Sequence, residues 1–166
     1  MMSLPTLSIL QVKPNQYRHF SCAEPVLDEY LKRYAKANEK KRISRNFILP
    51  DEDGQVIGYY TLCMAQINFD ELPHELQTGL PHYPIPAARL CRLAVDKTMQ
   101  GNGLGEHLLM DAINRVHIAD KMVAAFALIV DAKNVKAKRF YQRYDFKPMK
   151  DEELKLFIPL DTLKHV

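Results

Sequence analysis

Six consecutive residues, Gln100-Gly101-Asn102-Gly103-Leu104-Gly105, carry the densest chemical signal in the chain. They lie between an apolar run with strand character and a run with helical spacing. Glycines lack a Cβ and let the backbone approach a ligand closely, while the unpaired amides at a helix N-terminus, with the helix dipole behind them, favour a phosphate. The segment therefore predicts an anionic ligand. A dinucleotide fingerprint would need G-x-G-x-x-G, but Glu106 stands where its last glycine belongs, and the G-K-[ST] of a P-loop is absent. The competing reading is a set of glycines that merely cap a tight turn before a structural helix.

No paired carboxylates, Ser-His-Asp arrangement or metal-spaced histidine cluster competes for an active site, and no metal is expected. The histidines are scattered, and His74, His82 and His107 read as solvated. Cys22, Cys63 and Cys91 are odd in number, form no CxxC pair and have no zinc-spaced histidine, so they read as reduced thiols. Asn134, Ala137, Phe140 and Tyr141 follow helical spacing. From spacing alone, Asn134 is a helix N-cap and Tyr141 a core aromatic.

Lys32, Arg33, Lys36, Lys40, Lys41, Arg42 and Arg45 crowd one stretch, whereas acidic residues collect at 51–53 and 151–153. A local positive field follows, with a solvated helix face as the plainer alternative.

The elements that must position these residues can be read from hydrophobic period. Residues 6–12 alternate as a strand does. Residues 25–39 form an amphipathic helix opened by Pro25, with Val26, Leu27, Tyr30, Leu31 and Tyr34 as its apolar stripe. Residues 46–49 and 55–67 make a hairpin around the turn 51–54. Residues 72–86 carry Pro73, Pro81, Pro84 and Pro86 and read as a long, partly rigid loop. Strand character resumes over 89–96, and a helix begins at Gly103, with Leu104, Leu108, Leu109, Ala112, Ile113 and Val116 on its apolar face. Residues 123–131 suit a strand covered on both faces, 135–144 a short helix, and 154–160 a closing strand.

The chain has 166 residues, 26% charged and 47% hydrophobic, with a formal net charge of +3, which fits one globular domain spanning 1–166. The first ten residues lack the basic and apolar regions of a signal peptide, and the longest apolar run, 122–130, is far below the ~20 residues a bilayer needs. A cytoplasmic protein without membrane association is expected.

Gln100, Gly103 and Gly105 match [QR]-x-x-G-x-[GA] after a strand, and Asn134, Ala137, Phe140 and Tyr141 match N-x-x-A-x-x-[FL]-Y ahead of a G-F pair whose glycine is here Asp145. On these motifs the chain resembles the GNAT superfamily of acetyl-CoA-dependent N-acetyltransferases. Tyr59-Tyr60-Thr61-Leu62, Leu80-Pro81-His82-Tyr83-Pro84-Ile85-Pro86, the stretch 89–96 and Leu156-Phe157-Ile158-Pro159 look like the acetyltransferase toxins of bacterial toxin-antitoxin pairs, over about 20–160. Cys91 departs from that pattern, in which glycine is the familiar residue. Asp145 is expected to alter a helix-end turn and not the chemistry.

The resemblance implies an α+β GNAT fold, a twisted mixed sheet of six or seven strands with helices on both faces. It implies that Leu93, Ala94 and Val95 pair through their backbone with the pantetheine arm of acetyl-CoA and that Gln100, Gly101, Asn102, Gly103, Leu104 and Gly105 hold the pyrophosphate. Asn134 and Ala137 are implied near the coenzyme, and Tyr141 as the acid that protonates the departing thiolate. It further implies aminoacyl-tRNA as acceptor, a ribbon-helix-helix antitoxin and a homodimer. Lys36, Lys40, Lys41, Arg42 and Arg45 would then meet phosphates, with Arg89 and Arg92 nearer the acceptor end. A GNAT enzyme acting on a small-molecule or protein amine, and a non-catalytic acyl-CoA-binding interaction module, are the rival readings.

Overall fold

The computed structural model describes Leu7–Ser8 and residues 13–163. Its strands are β1 (Leu7–Ser8), β2 (Arg45–Pro50), β3 (Val56–Ile67), β4 (Ile85–Val95), β5 (Ala127–Asp131), β6 (Lys147–Met149) and β7 (Glu152–Pro159). Its helices are α1 (Pro25–Glu29), α2 (Ala35–Lys40), α3 (His74–Gln77), α4 (Leu104–Ala119) and α5 (Val135–Gln142). The strands make one mixed seven-stranded sheet in the order β1-β2-β3-β4-β5-β7-β6, the α+β class expected from the sequence. The chain packs as two compact units, residues 1–63 with 91–112 and residues 64–90 with 113–166.

In the first unit the expected helix over 25–39 is interrupted. A π-helical turn, Tyr30–Tyr34, separates α1 from α2, and the amide of Ala35 donates to the carbonyl of Tyr30. The extra residue in that turn rotates the apolar stripe. Tyr30, Leu31 and Ala35 are buried, whereas Val26 and Tyr34, placed on the stripe by spacing, are exposed.

The rotated face closes on a buried polar cluster. Asn46, opposite Thr61 in the β2–β3 register, accepts from Tyr30 Oη at 2.9 Å and Thr61 Oγ1 at 2.8 Å. Its side-chain amide donates to the Ala35 carbonyl at 3.2 Å and to Glu39 Oε2 at 3.0 Å, and its backbone amide donates to the same carboxylate oxygen at 2.7 Å. Arg45 pairs with the other Glu39 oxygen at 3.5 Å. Every hydrogen-bonding group of the Asn46 side chain is used, so the burial of Glu39 is compensated. Tyr30, Leu31 and Ala35 also join an apolar core with Tyr17, Phe20, Cys22, Ile48, Val56, Tyr59 and Ala94.

The hairpin between β2 and β3 forms as expected. Asp51 Oδ1 accepts from the amides of Asp53 and Gln55, both at 2.9 Å. Helix α4 lies close to β3: a Cβ built on Gly58 would stand 3.0 Å from Leu108 Cδ1 and 3.3 Å from the Ala94 carbonyl. Tyr60 Oη donates to Asp111 Oδ2 on the same helix.

In the second unit β4 and β5 run parallel from Ala87↔Ala127 to Leu90↔Val130, and β5 pairs antiparallel with β7. Ala127, Leu128, Ile129 and Val130 are fully buried, which explains their unbroken apolar run. Ile67, Leu72, Ile85, Ala87, Met149 and Phe157 complete that core.

Several expected boundaries shift. Of the strand expected over 6–12, Leu7–Ser8 pair with β2 and the other positions lie outside the described residues. The proline-rich stretch holds α3 and ends earlier than expected, because β4 starts at Ile85 and takes Pro86 as its second residue, a strand-end position that tolerates a missing donor. Strand β5 starts at Ala127 and not at 123, since the exposed Met122 and Val123 lie in the turn before it. Strand β6 has no counterpart in the sequence reading, because three residues are too few to show a period. Gly103, expected as the first helical residue, has φ of 78° and stands outside α4.

Helix α5 stops two residues short of the expected 144, and the chain turns at Asp145 with φ of 71°. This is the left-handed helix-end conformation that glycine adopts at least cost, so Asp145 occupies it at some expense.

Asn46→Ala is expected to lower unfolding free energy by about 3 kcal/mol, because it removes the side-chain amide that donates to the buried Glu39 carboxylate and the oxygen that accepts from Tyr30 and Thr61. Urea denaturation measures it. Asp145→Gly is expected to raise stability by about 0.5–1 kcal/mol, read as a higher urea midpoint at unchanged slope.

Candidate functional site

The loop that ends β4 is fastened to the first unit at several points. Asp96 donates its amide to the Ile57 carbonyl at 2.8 Å. Its carboxylate accepts from the amide and hydroxyl of Thr98, at 3.0 and 2.7 Å, and from the Ser21 amide at 3.1 Å. Burial works to raise the Asp96 pKa, but the bonds from Thr98 and Ser21 and the nearby Lys97 charge hold it below the ordinary carboxylate value. The Gln100 side chain turns inward, donating to the Val95 carbonyl at 3.0 Å and to the Cys22 carbonyl at 3.2 Å. Asn102 donates to the Met99 carbonyl at 3.0 Å. The side chains of Gln100 and Asn102 thus hold the loop in shape.

Gly101 and Gly103 have φ of 84° and 78°, and a Cβ on either would meet nothing within 4 Å. Conformation, not crowding, demands glycine there, and the space beside the backbone stays open. The first bond of α4 runs from the His107 amide to the Gly103 carbonyl at 3.1 Å. The amides of Leu104, Gly105 and Glu106 therefore precede the intrahelical ladder of a 16-residue helix. Open space, outward amides and a helix N-terminus fit a pyrophosphate. Along β4 Leu93 and Val95 are half-buried, whereas Ala94 is core.

His107, expected in solvent, is half-buried on α4, and its Nε2 is buried with no hydrogen-bond partner among the described residues. His74 and His82 are exposed as expected, and the His82 ring stacks on Phe69 at 4.1 Å.

In the second unit Asn134 caps α5, its Oδ1 accepting from the Ala137 amide at 2.9 Å. Ala137 is half-buried behind it. Tyr141 packs edge-on against Phe140 and Phe146, with ring centroids 5.2 and 5.6 Å away. Burial pushes its phenol up to about 12, so the hydroxyl stays protonated and available as a donor throughout the neutral range.

Among the basic residues, Lys36, Lys40, Lys41 and Arg42 are exposed. Lys36 Nζ lies 5.8 Å from the Tyr17 ring centroid. Arg45 is exposed as well but spends its guanidinium on Glu39. Arg89 is ion-paired with Asp131. The Arg92 guanidinium carbon lies over the Tyr30 ring, 3.5 Å from its centroid, and Tyr30 in turn stacks on Tyr59. Sequence reasoning missed Tyr30 as this platform, because no local spacing links it to β4. It also missed Asp96 as the clamp of the loop, although Asp-x-Thr directly after a strand is a readable turn signal.

The sequence matches the family described as Acetyltransferase (GNAT) domain over residues 27–160. A curated relative from Mycobacterium tuberculosis (strain ATCC 25618 / H37Rv), named tRNA-acetylating toxin, is 38% identical over 139 residues, covering 84% of this chain and 82% of the relative. Among solved structures, AtaT complexed with acetyl-methionyl-tRNAfMet superposes with a TM-score of 0.89 at 32% identity, covering 97% of both chains. A tyrosine-to-phenylalanine variant of AtaT, bound to the C-terminus of the antitoxin AtaR and acetyl-CoA, gives 0.79 at 28% identity over 98% of this chain and 97% of that one. With this family match over most of its length and a relative 38% identical, the chain belongs to the GNAT acetyltransferase family.

Proposed function

We propose that this chain is a toxin that moves the acetyl group of acetyl-CoA onto the α-amino group of aminoacyl-tRNA, acting as one domain over residues 1–166 and stopping translation. The observation that carries the reading is the clamped loop after β4, whose outward amides suit a pyrophosphate, in a chain whose relatives are tRNA-acetylating toxins.

On this reading the backbone of Gly101 and Gly103 and the first amides of α4 hold the pyrophosphate. Backbone groups of Leu93, Ala94 and Val95 pair with the pantetheine arm. Asn134 and Ala137 present the N-terminus of α5 to the coenzyme. Acetyl-CoA supplies a thioester whose acyl carbon takes the amine and whose thiolate leaves. Tyr141 supplies the proton that converts the departing thiolate to a thiol, and burial is what keeps that proton in place.

The acceptor needs no strong base. An α-amino group has a pKa of about 7.7–8.0, whereas a lysine near 10.4 costs roughly 3 kcal/mol more to deprotonate at neutral pH. The exposed Lys36, Lys40, Lys41 and Arg42 form the phosphate-binding face, joined by Arg45, with Arg89 and Arg92 toward the acceptor end. A ribbon-helix-helix antitoxin neutralises the enzyme, and two copies form a homodimer in the cytoplasm, where charged tRNA is found. The AtaT complex with the C-terminus of AtaR supports the antitoxin, and the resemblance to the toxin branch supports the dimer. Among the described residues no helix is long and apolar enough to cross a membrane.

One feature favours a small cationic amine instead. A cavity of about 610 Å³ in the second unit is lined by Asp70, Glu71, Asp151 and Glu152, with His82 and Lys150. Its lining includes none of the residues assigned above to coenzyme or proton transfer, so the aminoacyl-tRNA reading leads.

Transfer of radiolabelled acetyl to charged tRNA, with deacylated tRNA, spermidine and a lysine peptide as controls, tests the assignment. Label is expected on charged tRNA alone, and Tyr141→Phe is expected to lower the rate about 10²–10⁴-fold. Label on spermidine or peptide in place of tRNA would overturn it. The rate should climb as pH rises through the α-amine pKa of about 7.7–8.0 and hold its plateau to pH 10, because the Tyr141 proton is retained toward about 12. Replacing Lys40, Lys41 and Arg42 together by Ala should flatten the salt dependence of tRNA affinity by a slope of about 2–3, measured by filter binding.

A further inference from the structure

Cys63 on β3 and Cys91 on β4 are far apart in sequence, yet their sulfurs meet at 2.7 Å. The contacts between the two strands run from Ile57 with Asp96, through Gly58 with Ala94, to Cys63 with Cys91. Positions fall along β4 as they rise along β3, so the strands are antiparallel neighbours and both thiols belong to the first unit. Facing residues of antiparallel neighbours have Cα atoms about 4.5–5.5 Å apart, within the roughly 4.4–6.8 Å that a disulfide spans. Both cysteines are half-buried thiols, open to a small reagent, whereas Cys22 is buried. Cys91 directly precedes Arg92 and lies two positions before Leu93.

We propose that Cys63 and Cys91 form an oxidisable dithiol, a covalent modification site at which a low-molecular-weight disulfide closes a clasp between β3 and β4. One thiol, once deprotonated, attacks a sulfur of the small disulfide, forming a mixed disulfide and releasing one small thiolate. The second protein thiolate then attacks the protein-bound sulfur of that mixed disulfide, forming the Cys63–Cys91 bond and releasing the second small thiolate. Two electrons pass from the protein dithiol to the reagent, and the two protein protons end on the two released thiols. Excess dithiol reagent runs the exchange backward.

The clasp removes loop-closure freedom from the unfolded chain between the two cysteines. It pins the start of the strand segment that carries Arg92 and Leu93 to its neighbour. Its outcome is a more heat-resistant protein under oxidising conditions, with the exchange chemistry independent of which amine the enzyme acetylates.

The test incubates the full chain with oxidised glutathione or with dithiothreitol, counts thiols after denaturation, and records intact mass, linked peptides and thermal midpoint. The accessible thiols are expected to fall from three to one, with Cys22 the survivor. The intact mass should drop by two hydrogens, a Cys63–Cys91 linked peptide should appear, and the midpoint should rise by roughly 5–10 °C and return with dithiothreitol. Cys91→Gly and Cys63→Ser should each abolish the linked peptide and the rise in midpoint while leaving a folded protein. Survival of all three thiols, separate glutathione adducts on both cysteines, a bond involving Cys22, or a bond between two copies on a non-reducing gel would each overturn the proposal.

Discussion

The buried carboxylate of Glu39 is the constraint on which the first unit is organised. A charge with so little exposure is tolerable only with donors on its oxygens, and Asn46 supplies two of them from β2. Satisfying Asn46 in turn requires Tyr30 and Thr61 to reach its oxygen from the π-helical turn and from β3. Helix and strands are therefore locked in one register. An apolar core of the same volume would permit sliding, whereas this arrangement has a single geometry in which no polar group is stranded. The consequence reaches β4, because the same Tyr30 ring carries Arg92 on its face.

From that frame the chemistry of the loop after β4 follows. Its clamps, Asp96 to Thr98 and Ser21 and Gln100 to Val95 and Cys22, are hydrogen bonds between side chains and the backbone of elements already fixed. They release the loop amides from structural duty. The left-handed glycines then hold those amides beside open space, at the end of a helix packed so closely on β3 that a methyl group at Gly58 would press on Leu108. Preorganised donors of this kind bind an anion without an ordering cost at the moment of binding.

Tyr141 shows how packing sets the protonation state of a side chain. Its ring is wedged between Phe140 and Phe146, and the helix that carries it is started by the Asn134 cap and ended by the turn at Asp145. Desolvation favours the neutral phenol. The plain reading of Asn134 as an N-cap is correct, and the helix it starts carries a phenol that stays protonated.

The sequence by itself determined the glycine loop ahead of α4, the helix with Asn134 and Tyr141, the hairpin and the doubly covered strand β5. Each is a local pattern: glycine spacing, a capping residue, a turn and an unbroken apolar run report on neighbours within a few residues. Only the tertiary structure decided the π-helical turn, the Asn46 cluster, the Arg92–Tyr30 stack, the Arg89–Asp131 pair and the meeting of Cys63 with Cys91. Those join residues distant along the chain, and their partners are chosen by sheet register and helix rotation, which no local period encodes. It also divided the basic residues, leaving Lys36, Lys40, Lys41 and Arg42 to solvent while giving Arg45 and Arg89 carboxylate partners. Composition is blind to that division, since the same charge is a surface field in one place and a satisfied ion pair in another.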